Sequence, residues 1–477
     1  MLGIYFALHC VTRSLVSQNL QNDEAEQVLL AQDWSWGYGA QPPLYTWIQK
    51  AVFAILGTNV FALALLKNAF LFSVYALVFL SARRIFRRNR PAVFAAASLL
   101  LFPLIVWESQ RDQTHLILAT ACSAVALYIF LRLVETRRTG WYLLFGVVAG
   151  LGALSKYNEL FFLVALLIAA LTMPSLRPAV LTPKMALALA ALAVIVTPHV
   201  IWFVHHQSLG LSESHSFGIA ARGMGGMVYF RGIQHLITAI VIFAGPPMLI
   251  YLPLLIAARK EKAAATADFE TELRFQFLVR VVEAGLVLVA VVVLACRVTV
   301  IRERWLEPLC FALPILLAGW ARPALERRTA NVLLYLAGAA AAASLIAMNA
   351  TVLAANMLHR EHHLNIPWRE LATGFRADGF QRGNILADGI MLGGNLKMQF
   401  PDSRVSLPLE PVPLTPGAPL LLTWPANPGD KPTKDFLEEA ERISGKAIRP
   451  EDVRYVEVQS ANGSQKSERL GFVITKP

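Results

Sequence analysis

Charge is what this chain has least of. Only 16% of its 477 residues are Asp, Glu, Lys or Arg, against about 25% in soluble domains, so a water-facing surface all round is excluded. Cysteine is scarce too: Cys10, Cys122, Cys296 and Cys310 lie in or beside apolar segments without metal-ligand spacing. They read as small buried hydrophobes and give no disulfide framework. No phosphate-loop pattern is present, and Gly393-Gly394-Asn395 reads as a turn. Neither a solenoid repeat nor inverted transporter halves are visible.

What is abundant is apolar sequence: 56% hydrophobic residues and a mean hydropathy of +0.51. Apolar runs of spanning length recur along most of the chain, about eleven in all. Their cores fall near 1–17, 60–82, 91–107, 113–134, 141–155, 158–173, 184–204, 233–257, 277–296, 305–320 and 330–354. The first lacks the basic start and cleavage site of a signal peptide and is short for a span, so the expected start of the protein lies upstream. The net charge of +11 does not mark a nucleic-acid binder, because the arginines sit in short loops between apolar runs. Arg83, Arg84, Arg87, Arg88 and Arg90 form one such cluster, and Arg322, Arg327 and Arg328 another. Basic loops identify the cytoplasmic side. With them inside, the first outer loop holds Asp23, Glu24, Glu26 and Asp33 and no basic residue before Lys50.

That loop, 18–59, carries two amphipathic stretches, 24–32 and 44–56, expected to lie along the outer surface. Trp34, Trp36, Tyr38, Tyr45 and Trp47 suit the headgroup level. A second outer loop, 205–231, is rich in glycine around Arg222; a lid and an ordinary loop both fit it. After residue 354 the chain turns polar, with β-like runs at 453–458 and 472–475 and a helix at 436–443. This is a small α/β domain, 355–477, which eleven spans would place outside. His359, His362 and His363 fit a solvated cluster better than a metal site.

Outer span ends gather chemistry. Glu108, Arg111, Asp112 and His115 end the third span, Lys156 follows the fifth, and Arg302 and Arg304 follow the ninth. The spans themselves are nearly free of ionisable residues. Carboxylates facing several cations at headgroup depth suit sugar transfer from a lipid phosphate. A carboxylate takes the acceptor's proton as the hydroxyl attacks C1, and Lys or Arg stabilises the departing phosphate. A flippase for a lipid-linked anion is the rival, although transporters place such groups near the midplane.

Four segments carry a resemblance: Asn22-Asp23-Glu24-Ala25-Glu26, Pro42-Pro43-Leu44-Tyr45-Thr46-Trp47, Gly150-Leu151-Gly152-Ala153-Leu154-Ser155-Lys156-Tyr157 and Arg304-Trp305-Leu306-Glu307-Pro308. In this order they resemble the C-type, polyprenyl-phosphate-dependent glycosyltransferases, in the bacterial group similar to dolichyl-phosphate-mannose-protein mannosyltransferases. That group includes aminoarabinose transferases and lipopolysaccharide galacturonosyltransferases. The resemblance implies Asp23 as catalytic carboxylate with Glu24 beside it, Asp112 as the second acidic position, and Lys156 and Arg304 near the donor phosphate. Gln41 stands where aminoarabinose transferases have a phosphate-binding lysine, which favours the galacturonosyl branch and shifts that task to Lys156, Arg302, Arg304 or Arg222. Glu108, Gln41, Tyr45 and His115 line the acceptor side of this expected site.

The expectation is therefore a mainly α, polytopic membrane protein of the C-type glycosyltransferase fold. It comprises a transmembrane domain, 1–354, and a small C-terminal α/β domain in the periplasm. It is expected in a bacterial inner membrane as a monomer, without nucleic acid, using a polyprenyl-phosphate sugar as donor and a lipid A, lipopolysaccharide or other envelope acceptor. Transfer to a protein hydroxyl stays open, as does a divalent metal.

Overall fold

The computed structural model describes residues 2–207, 227–261, 268–358, 360, 362–459 and 467–475. Among the described residues, six helices are long and apolar enough to cross a membrane. They include α4 (Val60–Phe86), α6 (His115–Thr136), α9 (Lys184–His205), α10 (Met227–Glu261) and α11 (Phe269–Ala295), with α13 (Asn331–Met357) forming most of the sixth. A bent pair, Asn89–Leu101 and Leu104–Arg111, with 71° between its halves, has the composition of a broken span or a re-entrant loop. Its break follows from Pro103, which forces Phe102 into extended backbone (φ −92°, ψ 109°). The expected count was about eleven. Of the other expected spans, 1–17, 141–155 and 158–173 are the shorter helices α1 (Leu2–Val16), α7 (Thr139–Ala153) and α8 (Glu159–Thr172), and 305–320 divides into Glu307–Cys310 and Leu313–Trp320; α3 (Leu44–Leu56) is a further short apolar helix. Fifteen residues rise only ~22 Å, short of a ~30 Å hydrocarbon core. The chain is a multi-pass membrane protein.

Contacts group the chain into two compact units. The larger comprises Met1–Phe6, Ser35–Tyr45 and Lys67–Ser344. Its helices touch closely because glycine stands where they meet. A Cβ on Gly146 would lie 2.1 Å from the Ala188 carbonyl oxygen, and one on Gly150 2.9 Å from Ile195, so α7 packs flush on α9. Against expectation this unit buries ionisable groups: Lys67, Glu159 and Glu307 are each 2% exposed or less.

The second unit comprises Ala7–Trp34, Thr46–Leu66 and Leu345–Pro477. Its sheet has the order β2-β1-β3-β5-β4, built from β1 (Asn384–Ala387), β2 (Arg404–Ser406), β3 (Leu420–Pro425), β4 (Arg454–Gln459) and β5 (Ser467–Thr475). β1 runs parallel to β2 and β3, whereas β5 runs antiparallel to β3 and β4. The expected helix at 436–443 is α16 (Lys434–Ser444), capped by the Thr433 hydroxyl and ended by Gly445 in the left-handed region (φ 69°).

Gly393-Gly394-Asn395 is not the expected turn. It lies inside α15 (Ile390–Gln399) and is packed against α2 (Asn22–Leu30). A Cβ on Gly394 would come within 2.5 Å of the Ala25 Cβ, so the glycine exists to let α2 approach. Asn395 Oδ1 accepts from the Leu20 N–H at 3.0 Å, fixing the chain's entry into α2. Gly394→Val is expected to cost about 1–3 kcal/mol through overpacking, read as a lowered unfolding temperature of the detergent-purified protein.

Candidate active site

The acidic pair lies in the first turn of α2, where the positive end of the helix dipole favours carboxylates. Asp23 is partly exposed there. Glu24 is 1% exposed, and the expectation of no nearby base does not hold for it. Arg13 of α1 donates to it twice, Nε at 3.3 Å and Nη2 at 2.5 Å. Glu24 also accepts from the Gln21 N–H at 2.9 Å, and Arg13 spends its remaining donors on the Ser17 and Asn19 carbonyls. Asp33 is likewise paired, in a two-bond fork with Arg404 at 3.1 and 2.5 Å. Linear distance hid both arginines, since one lies before the loop and the other lies far downstream.

In the larger unit, a cavity of about 550 Å³ gathers two of the sequence motifs. Lys156 and Tyr157 line it from the turn after α7, and Trp305 and Leu306 from the Arg304-Trp305-Leu306 segment. Gln41 joins them from the first loop. Most of the wall is aliphatic, including Val196 and Val200 of α9 and Val289, Val292 and Val293 of α11. The Asn158 side chain donates to the Trp305 carbonyl at 3.0 Å, which holds the two motifs side by side. Lys156 has no carboxylate within ion-pair distance among the described residues. Arg304 is partly exposed and Arg302 exposed, on either side of Glu303 and next to Trp305; neither lines the cavity. Arg222 lies outside the described residues, as does most of the loop 205–231.

Tyr157 and His199 also line the cavity, and sequence reading gave them no role. His199 Nδ1 stands 2.6 Å from the Trp36 carbonyl and Nε2 3.0 Å from the Tyr157 hydroxyl. A carbonyl only accepts, so Nδ1–H donates to it and Nε2 accepts from the phenol. Burial raises the Tyr157 pKa to about 12, which keeps the phenol protonated and able to donate. The imidazole thus fastens the first loop to α9.

The other expected residues sit apart from this cavity. Glu108 pairs with Arg111 at 2.8 Å, and Asp112 follows as the cap of that short helix. The segment is anchored to α4: Lys67 Nζ donates to the Gln110 carbonyl and the Gln110 amide donates to Asn68 Oδ1, both at 2.9 Å. Tyr45, expected as an interfacial aromatic, is enclosed by the protein instead. Its ring is fully buried between Phe70 (6.1 Å) and His115 (5.4 Å), and Tyr38 is buried as well, while Trp34 and Trp36 are exposed.

Glu307, part of the Arg304–Pro308 segment but given no role by sequence reading, is buried. It follows Leu306 directly and accepts from the Ser109 and Thr120 hydroxyls at 3.3–3.4 Å, tying the Arg304-Trp305 turn to α6. A Glu before a Pro inside an apolar run was the available signal. Gly152 of the Gly150–Lys156 motif has a matching reason: a Cβ there would lie 2.6–2.7 Å from the Glu159 carboxyl.

A membrane-embedded glycosyltransferase is the class to which this architecture and these comparisons lead. Residues 40–202 match the family described as dolichyl-phosphate-mannose-protein mannosyltransferase. The chain is 31% identical to the lipopolysaccharide core galacturonosyltransferase RgtA of Rhizobium johnstonii over 436 residues, 89% of this chain and 85% of the relative. It is 30% identical to RgtB of the same organism, over 89% and 86%. The fold is shared with ArnT from Cupriavidus metallidurans crystallised with undecaprenyl phosphate, at a TM-score of 0.62 and 12% identity over 98% of this chain and 96% of that one. The chain belongs to the family of the lipopolysaccharide core galacturonosyltransferases.

Removing the Arg13 charge would strand a buried carboxylate. Arg13→Met is expected to destabilise by about 3–5 kcal/mol, and Arg13→Met with Glu24→Gln should recover most of that loss. Thermal unfolding of the four proteins in a double-mutant cycle measures it.

Proposed function

We propose that this glycosyltransferase moves a sugar, with a uronic acid as the favoured class, from a polyprenyl-phosphate carrier to a lipopolysaccharide core or lipid A hydroxyl. The reading puts the reaction at the outer face of the inner membrane, with the C-terminal domain in the periplasm. The observation that carries it is the aliphatic cavity bearing Lys156. Its volume is in the range of ligand sites, its walls suit a prenyl chain, and Lys156 supplies a cation for one phosphate. The names of the two Rhizobium relatives supply the acceptor class, and the ligand of the crystallised ArnT supplies the carrier class.

In this mechanism Asp23 accepts the proton of the acceptor hydroxyl as its oxygen attacks C1 of the sugar. The bond between C1 and the phosphate oxygen breaks, the configuration at C1 inverts, and polyprenyl phosphate leaves as an anion. Lys156 binds that phosphate, aided by Arg302, Arg304 and Arg222. Glu24, held by Arg13, positions the helix that carries Asp23 and does not itself take the proton. Asp112 and Glu108 orient the acceptor. Among the described residues no three His, Cys, Asp or Glu side chains group to hold a metal ion. Of the histidine cluster, His362 Nδ1 accepts from a backbone N–H and His363 bonds Gln21, while His359 lies outside the described residues.

Asp23→Asn is expected to lower transfer by roughly 10²–10⁴-fold in a protein that still inserts. Mass spectrometry of lipopolysaccharide and lipid A from wild type, deletion and Asp23→Asn strains should show one sugar mass lost in both mutants. Retention of that mass in Asp23→Asn removes Asp23 as the base, and an unchanged glycolipid profile in the deletion strain moves the acceptor to protein. Lys156→Ala should weaken donor binding about tenfold, the scale of one charged hydrogen bond; equal donor affinity takes Lys156 out of the phosphate site.

A further inference from the structure

A second cavity, of about 720 Å³, opens at the ends of three spanning helices. α4 contributes Arg83, Arg84 and Arg87, α6 contributes Glu135, and Glu270 and Arg274 come from α11. Four arginines line the cavity against two glutamates; just beyond the lining Asp268 pairs with Arg87 at 3.5 Å and Arg132 with Glu135 at 3.6 Å, so the cluster of five arginines and three carboxylates keeps an excess of two positive charges. The two glutamates organise the guanidinium groups and do not neutralise them. Glu135 pairs with Arg84 and, at 3.0 Å, with Arg274. Glu270 pairs with Arg87 at 2.5 Å and Arg274 at 2.9 Å. Arg274 is further fixed by donating to the Arg84 carbonyl at 2.9 Å, and Arg84 lies over the Tyr128 ring. Arg83 has no acidic partner among the described residues and is exposed. Arg87 is held in the left-handed region (φ 55°), an uncommon conformation for a side chain of this size.

We propose that this cavity binds the phosphodiester headgroup of an anionic membrane lipid, a site separate from the sugar-transfer chemistry. An arginine fork matches phosphate oxygens in pairs, and the positive excess of the cluster is more than enough for the single negative charge of a phosphodiester. The lipid source, as opposed to a free phosphate, follows from position. The cavity sits where spanning helices end, at headgroup level, and the exposed Leu80 on its lining offers apolar surface to an acyl chain. Basic pockets between helices at this level recognise such lipids.

The test uses the full-length protein in neutral detergent, with dioleoyl-phosphatidylglycerol, dioleoyl-phosphatidylcholine and inorganic phosphate as probes, and native mass spectrometry as readout. Phosphatidylglycerol should be retained in preference to phosphatidylcholine. Its affinity should fall roughly fivefold in Arg83→Gln and more than tenfold in Arg83→Gln with Arg87→Gln, at about 1 kcal/mol per arginine. Arg83→Gln breaks no ion pair, so it keeps the test alive if the double variant fails to fold. Arg138→Gln, which alters an exposed loop arginine outside the cavity, should change nothing. Equal retention of the two lipids, or equal loss in Arg138→Gln, overturns the proposal. Binding of inorganic phosphate with the same variant dependence but without phosphatidylglycerol preference overturns the lipid source.

Discussion

A carboxylate as deeply buried as Glu24 needs a partner from the protein itself, and the Arg13–Glu24 pair supplies it. The pair joins α1 to the first turn of α2. Desolvation makes such a pair a weak source of net stability, but it makes the geometry costly to change. Glu24 also receives the Gln21 N–H, and Asn395 holds the preceding Leu20. The partly exposed Asp23 thus stands on backbone that has little freedom left.

Close approach governs helix packing within each unit in the same way. Gly394 admits α2 to α15, Gly146 and Gly150 admit α9 to α7, and Gly152 leaves room for the Glu159 carboxyl. In each case the lack of a Cβ decides how closely the neighbouring segment can approach. The glycines in the Gly150–Lys156 motif therefore position Lys156 by packing, and the Asn158–Trp305 bond adds the second motif to the same wall.

The sequence made the membrane class, the acidic loop helix and the C-terminal α/β fold legible, because hydropathy and periodicity are local properties. α2, α3 and α16 stand within a few residues of the expected helices. What it hid was partnership at long range. Arg13 and Arg404 neutralise acids that look bare along the chain, and Tyr45, an apparent interfacial aromatic, is sealed between Phe70 and His115. Length misled as well: several apolar stretches that suggested spans form helices too short for an upright crossing, and Pro103 bends another. The glycine pair before Asn395 was misread because a turn and a close helix crossing both call for glycine, and only the neighbour distinguishes them.

Gln32, at the end of α2, has a consequence for the solution behaviour of the C-terminal sheet. β2 is an edge strand, and the Gln32 side-chain amide copies a neighbouring strand: it donates to the Val405 carbonyl at 2.8 Å and accepts from the Val405 N–H at 3.0 Å. The rim most open to strand-by-strand addition from another copy is thereby occupied by a residue of the same chain. The opposite rim, β4, bears Arg454 and Glu457, and charges on an exposed edge discourage cross-β growth. Both borders of the sheet are thus guarded against strand-by-strand self-association.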